Sequence, residues 1–146
     1  MNLEERLNEL KANIISRHVD AGQVASGRTK AGFEVKMLSP YHGQLLGYSY
    51  SGVLERGRKP GRIPKEFRAI IERWAVAKGI SFNSDADRSR FAYFVAQKIQ
   101  REGTKLFRSG GTVDVFSSAL VSFTDLLATE ALDAFEIEVK NQIFIR

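Results

Sequence analysis

Few side chains in this sequence have chemistry to offer, and their spacing decides what that chemistry is. The two histidines are His18 and His42. Neither lies in an H-E-x-x-H pattern or any other spacing that puts two ligands on one metal ion, and both read as helix-end or surface residues. Cysteine is absent, which removes disulfides, thiolate metal sites and cysteine nucleophiles together. Asp85 and Asp87 form a close carboxylate pair at a predicted helix start. Acids there satisfy free N–H groups and the helix dipole, so capping is the plainer reading and catalysis or metal binding the rarer one. Glu130, Asp133, Glu136 and Glu138 spread around a later predicted helix, as a solvated acidic face or a docking face for a basic neighbour. No G-x-x-x-x-G-K-[ST] phosphate loop, G-x-S-x-G elbow or Ser/His/Asp set is present. The expectation is a non-enzymatic protein with no cofactor and no metal.

What remains is cationic. Residues 48–64 read YSYSGVLERGRKPGRIP. An aromatic amphipathic turn (Tyr48, Tyr50, Val53, Leu54) leads to a single acid, Glu55, and then to a Gly/Arg/Lys/Pro segment over 56–63. That segment is too polar and glycine-rich for a core and is expected to stand out from the folded body as a basic loop. Its cations are Arg56, Arg58, Lys59 and Arg62, followed by Lys65 and Arg68. A second basic, glycine-rich loop, GTKLFRSGG over 103–111, adds Lys105 and Arg108. Three uses are open: a plain solvated loop, a protein contact in an assembly, or a phosphate-contacting arm. Arginine suits the last two, because its planar fork pairs bidentately with carboxylate or phosphate. Tyr48 and Tyr50 are the best surface aromatics for stacking; Phe67, Trp74, Phe91 and Phe94 have helical spacing and read as core.

The net charge of +5 is unevenly spread. Residues 1–55 hold six Lys/Arg against six Asp/Glu, residues 56–108 hold 14 against five, and residues 109–146 hold two against six. A basic middle with an acidic end fits a nucleic-acid face. It also fits head-to-tail pairing of identical subunits, the basic part of one copy meeting the acidic part of the next.

The elements that must position these residues follow from periodicity. A chain of 146 residues with 43% apolar composition suits one domain over 1–146 with a real core. Leu3, Leu7, Leu10 and Ile14 are spaced 4, 3, 4 and predict a helix over 2–20. Residues 22–32 read as a loop with room for one helical turn. Phe33, Val35 and Met37 alternate with Glu34 and Lys36, and with a turn at Ser39–Gly43 they predict a hairpin over 32–48. Tyr50 to Arg56 fits a short helix ending at Gly57. Pro64 suits a first helical position, so a helix over 64–78 follows, with Phe67, Ile70, Ile71 and Trp74 on its apolar face. Ser84 with Asp87 resembles a capping box opening a helix over 85–102, with Phe91, Phe94, Val95 and Ile99 inward. Helical spacing from Phe116 to Phe135 gives a long helix over about 114–141. Beyond it, Leu132, Phe135, Val139 and Ile143 keep helical spacing, while Phe135, Ile137 and Val139 alternate like a strand. The fold class is α+β, mainly helical, with about four helices and a small antiparallel hairpin. No run of about 18 apolar residues spans a membrane. The acidic, amphipathic N-terminus lacks the marks of a signal peptide, so synthesis and folding in a cytoplasm are expected.

The order of these features resembles the small tail-component (tail-completion, or neck) proteins of long-tailed bacteriophages. That family has an N-terminal helix, an ASGRT-type segment (here Ala25–Thr29) and then a strand. A motif Y-x-x-Y-[VL]-E-x-G-x-[RK]-P follows, here Tyr50–Pro60, with Val53 in place of the second aromatic and Arg56-Gly57 where Phe-Gly is usual. Next come a helix with W-A-x-x-K-G (Trp74–Gly79) and another ending I-x-x-x-G-T (Ile99–Thr104). The match covers roughly residues 3–108, and the acidic C-terminal region is longer than the family's. The resemblance implies a structural virion protein assembled in the host bacterial cytoplasm. It implies rings of about six or twelve copies at the head–tail junction, built through heterologous contacts. Portal, adaptor or tail tube proteins are its implied partners, with non-specific contact to DNA in the channel. On this reading Tyr48, Tyr50, Glu55, Arg56, Arg58, Lys59 and Arg62 form the subunit contact loop. Lys65, Arg68, Lys105 and Arg108 face DNA or an acidic neighbour, and the free edge of the hairpin is available to extend a sheet across subunits.

The competing reading is a basic nucleic-acid-binding protein using residues 56–108. Its predicted helices 64–78 and 85–102 loosely imitate a helix-turn-helix, although the turn at 79–84 exceeds the usual three or four residues.

Overall fold

A computed structural model describes residues 1–144. The chain is α+β and mainly helical, with one two-stranded antiparallel sheet. Helix α1 (Leu3–Asp20) buries the predicted stripe of Leu7, Leu10 and Ile14 and continues it to His18. A single turn, α2 (Arg28–Ala31), precedes the hairpin of β1 (Glu34–Ser39) and β2 (His42–Leu46). Their register pairs Val35 with Leu45 and Met37 with Gly43. A 3-10 turn over Ser49–Gly52 runs into α3 (Val53–Arg56). Then come α4 (Phe67–Ala77), α5 (Asp85–Glu102), the short α6 (Lys105–Arg108) and α7 (Ser117–Phe144).

Two helix starts differ from expectation. Pro64 lies outside α4: its carbonyl accepts the Phe67 N–H at 3.1 Å in a turn, and the helix begins at Phe67. The long helix begins at Ser117 rather than near 114, because Asp114 stays outside and caps it, its carboxylate accepting the Ser118 N–H at 3.0 Å. Alpha-helix continues through Phe144, so of the two patterns at the C-terminal end the helical one holds as far as the described residues reach. The opening of α5 matches its sequence signal, with Ser84 Oγ accepting the Asp87 N–H at 3.1 Å. Asp85 pairs with Arg88 at 3.1 Å and Asp87 with Arg90 at 3.7 Å.

Apolar packing falls into two clusters. The first gathers Leu10 and Ile14 of α1, Phe33, and Val115 and Ala119 at the start of α7, with Leu45, Leu54, Phe116 and Phe123 against them. Here α1 lies antiparallel to α7. Arg17 meets Asp114 at 2.9 Å and Arg6 pairs with Glu130, so Glu130 belongs to this internal contact rather than to a solvated acidic face. The second cluster joins α4 to α5 through Ile71, Ala92 and Ala96, with Ile63, Phe67, Phe91, Val95 and Ile99 around them. Phe94 and Trp74, expected inside, are exposed. Ala75, Ala92 and Ala96 are buried. Small residues let two helices approach closely, so the contact line follows the alanines and leaves Phe94 on the far side of α5.

Among the described residues no helix is long and apolar enough to cross a membrane.

Candidate functional site

The two basic, glycine-rich loops form one surface. Thr104, just after α5, accepts the Arg58 N–H on its hydroxyl at 3.0 Å and returns its own N–H to the Arg58 carbonyl at 3.0 Å. Gly61 N–H bonds the Gln100 carbonyl at 2.9 Å. Glycine is required at this junction. Gly57 and Gly103 have φ of +76° and +81°, and a Cβ on Gly103 would stand 2.6 Å from the Arg58 carbonyl oxygen. The 56–63 segment is therefore strapped to the C-terminal end of α5, which corrects its expected projection from the body.

The strap divides the predicted cations. Arg58 is used internally: its guanidinium lies over the Phe67 ring, 5.4 Å from the centroid, and donates to the Arg62 carbonyl at 2.9 Å. Arg68 faces Glu72 at 3.7 Å and Arg108 faces Glu102 at 3.2 Å. Arg56, Lys59, Arg62, Lys65 and Lys105 are exposed, and among the described residues none of the five makes an ion pair. Long cationic side chains on a fixed backbone can take up carboxylates or phosphates without first ordering the loop.

Glu55 leaves the predicted contact set. Its Oε1 accepts the N–H groups of Val115, Phe116 and Ser117 at 3.1, 2.7 and 2.7 Å, and Oε2 accepts the Ser117 hydroxyl at 2.8 Å. It caps a helix start 60 residues away in sequence, and no local motif signals that role. Burial alone would raise the Glu55 carboxyl. The hydrogen bonds from Ser117, Phe116 and Val115 outweigh burial and hold it below its ordinary value. Asp114 is likewise lowered, first by the Ser118 hydroxyl and N–H and then by Arg17.

Tyr48 and Tyr50 stack nearly parallel, with centroids 5.3 Å apart, and the Arg28 guanidinium lies 5.2 Å from the Tyr48 centroid. Both rings stay partly exposed. The Tyr48 ring rests on Gly32, where a Cβ would come within 2.2 Å of it. The ASGRT segment thus meets Tyr48 through Arg28 and the motif that starts at Tyr50 through Thr29, whose hydroxyl lies 3.5 Å from that of Tyr50.

Two contributors were missed at the sequence level. His18 stands in the last turn of α1, as expected, but is buried and not at the surface; its Nδ1 lies 3.0 Å from Gln23 Oε1, while Gln23 Nε2 donates to the Leu54 carbonyl at 2.6 Å. The signal was its place four residues beyond Ile14 on the apolar stripe. Lys78 donates to the Gly22 and Val24 carbonyls at 2.7 and 3.0 Å, tying the end of α4 to the loop after α1. Its partners lie more than 50 residues away, beyond any local pattern.

Among the described residues, no group of three or more His, Asp or Glu side chains is placed to hold a metal ion. Comparison with protein-family models, curated proteins and solved structures finds no match.

Proposed function

We propose that this chain is a structural subunit of a long-tailed bacteriophage virion, forming a ring of about six or twelve copies at the head–tail junction. The observation that carries this reading is the separation of charge onto distinct elements. The unpaired cations gather on the strapped loops over 56–65 and at Lys105. Asp125, Asp133, Glu136 and Glu138 stand exposed on α7. A subunit with one basic and one acidic region suits heterologous contacts, in which one surface meets a different surface of the next copy. The ordered motifs between residues 3 and 108 supply the phage setting, with portal, adaptor or tail tube proteins as further partners.

The test is charge reversal at exposed cations outside the internal network. A Lys59→Glu/Arg62→Glu/Lys105→Glu phage is expected to accumulate unjoined heads and tails, while the purified variant melts like the wild type. Normal particles carrying the variant would remove the loops from the contact. Absence of the wild-type chain from purified virions would overturn the reading as a whole.

A second reading is favoured by one observation: five cations stand on joined loops with no acidic partner among the described residues. Such a surface would touch DNA by its phosphates without reading sequence. Duplexes of unrelated sequence should then bind equally, with affinity falling steeply as salt rises. Absence of salt-sensitive binding would discard this reading.

A further inference from the structure

We infer that the C-terminal half of α7 is a docking arm for a second copy of this chain, and that it seats on the outer face of that copy's α5. The inference deepens the ring reading and rests on it for its biological setting.

The arm begins where α1 ends. With 28 residues α7 is about 42 Å long, whereas the 18 residues of α1 cover about 27 Å. The Arg6–Glu130 pair marks the last contact with α1 that a side-chain bond records, and the bonds from residues 131–143 stay within the helix: Lys140 with Glu136, and Gln142 with Glu138. On this bare stretch Leu132 is 68% exposed, Phe135 68% and Ile143 63%. With Val139 they form a stripe spaced 3, 4, 4. Leu132 follows Phe123 by nine residues, which is two and a half turns, so the stripe faces away from the side that α7 packs on its own core. Large apolar residues aligned on an unpartnered helix face mark an interaction surface.

The receiving face is on α5. Opposite its buried line of Ala92 and Ala96 lie Arg90, Phe94, Gln97 and Arg101, with Tyr93 at the edge of that face. Phe94 is 61% exposed and packs edge-on against Tyr93, with centroids 5.6 Å apart. Aromatic rings flanked by arginines are the composition of an interface centre.

Charge selects between the possible pairings. Asp125 and Glu136, eleven residues apart, bracket Leu132 and Phe135 of the stripe, and Arg90 and Arg101, also eleven residues apart, bracket the aromatic pair. Both separations are about 16 Å along a helix, so an acid can meet an arginine on either side of a contact between Leu132/Phe135 and Tyr93/Phe94. The pairs these charges make within the chain, Glu136–Lys140 and Arg90–Asp87 at 3.7 Å, are exposed and readily exchanged. Pairing of α7 with a second α7 through this stripe would instead bring Asp125 and Glu136 against acids of the other copy, with Lys140 the nearby cation among the described residues. The favoured contact is head-to-tail, and such contacts propagate into a ring or filament.

Two complementary variants test it. Leu132→Asp/Phe135→Asp disables the arm and Tyr93→Asp/Phe94→Asp disables the receiver, each at exposed positions. In sedimentation across a concentration series, the wild type should self-associate. Each variant alone should stay monomeric, its association weakened by at least about 30-fold, as for the loss of central interface residues. An equimolar mixture should form a dimer that grows no further, because each dimer then holds one working contact. Circular dichroism checks that both variants keep the wild-type helix content. Since the chain has no cysteine, a second readout is clean: Phe94→Cys mixed with Phe135→Cys should give a mixed disulfide dimer in preference to either homodimer. A monomeric wild type, a mixture that does not dimerise, or loss of association through the arm variant alone would each overturn the inference. A monomeric wild type still found in virions would leave the ring reading standing on its partners. Head-to-tail association by a chain absent from virions would overturn the ring reading and keep the docking arm.

Discussion

At the level of single side chains, Glu55 supplies the acceptor for three backbone N–H groups and one hydroxyl at the start of α7. Glu55→Ala leaves those donors without their partner and should lower unfolding free energy by about 1–2 kcal/mol in urea titrations near neutral pH. The pH dependence has a definite sign. The folded carboxyl lies below its ordinary value of 4.5, so its stabilising contribution is complete above that pH and is lost as pH falls through the lower folded value. Thermal melts of wild type and Glu55→Ala should therefore converge in acid; a gap that stayed constant below pH 4.5 would contradict the capping role. Asp114 titrates in the same direction, so the wild type should soften in acid more than Glu55 alone accounts for. His18 acts through packing. It is 1% exposed, and His18→Ala opens a cavity and strands Gln23, with an expected cost of about 2–3 kcal/mol.

At the level of elements, the strap between 56–63 and the end of α5 turns two flexible sequences into one surface. Thr104→Val deletes the hydroxyl that accepts the Arg58 N–H. An orphaned amide there should cost about 1–3 kcal/mol and speed hydrogen exchange at Arg58 and Gly61, while exchange in α1 stays as it was. Gly103→Ala should be worse, because φ is +81° and the new methyl carbon would meet the Arg58 carbonyl at 2.6 Å. The α4–α5 hairpin shows how far periodicity reaches. Both helices and the Ser84 cap were legible, because they depend on residues three or four apart. Which face of α5 is buried was not, because the alanine line is chosen by how closely α4 can approach, and that depends on Ala75 of the partner helix.

On the scale of the whole molecule, the chain has two apolar clusters, polar ties between their elements through Arg58–Thr104 and Lys78, and a helix that outruns its support. Amide exchange in the isolated monomer should be slow over 119–130, where α1 covers α7, and fast over 131–143. Assembly should slow the second stretch selectively; equal protection of both in a verified monomer would mean that the arm is already covered. The sequence by itself determined the helices, the hairpin, the cap at Ser84 and the division into a basic middle and an acidic end. Each of these rests on neighbours within a turn or on composition, which no fold can alter. Only the tertiary structure decided that Glu55 and Arg58 are spent inside the chain, that Phe94 faces out, and that the stripe through Leu132, Phe135, Val139 and Ile143 makes no side-chain bond to another element among the described residues. Those outcomes depend on bonds between residues 46 to 62 positions apart, on how closely Ala75 of α4 approaches α5, or on the length of one helix against another, and local spacing carries no record of any of them.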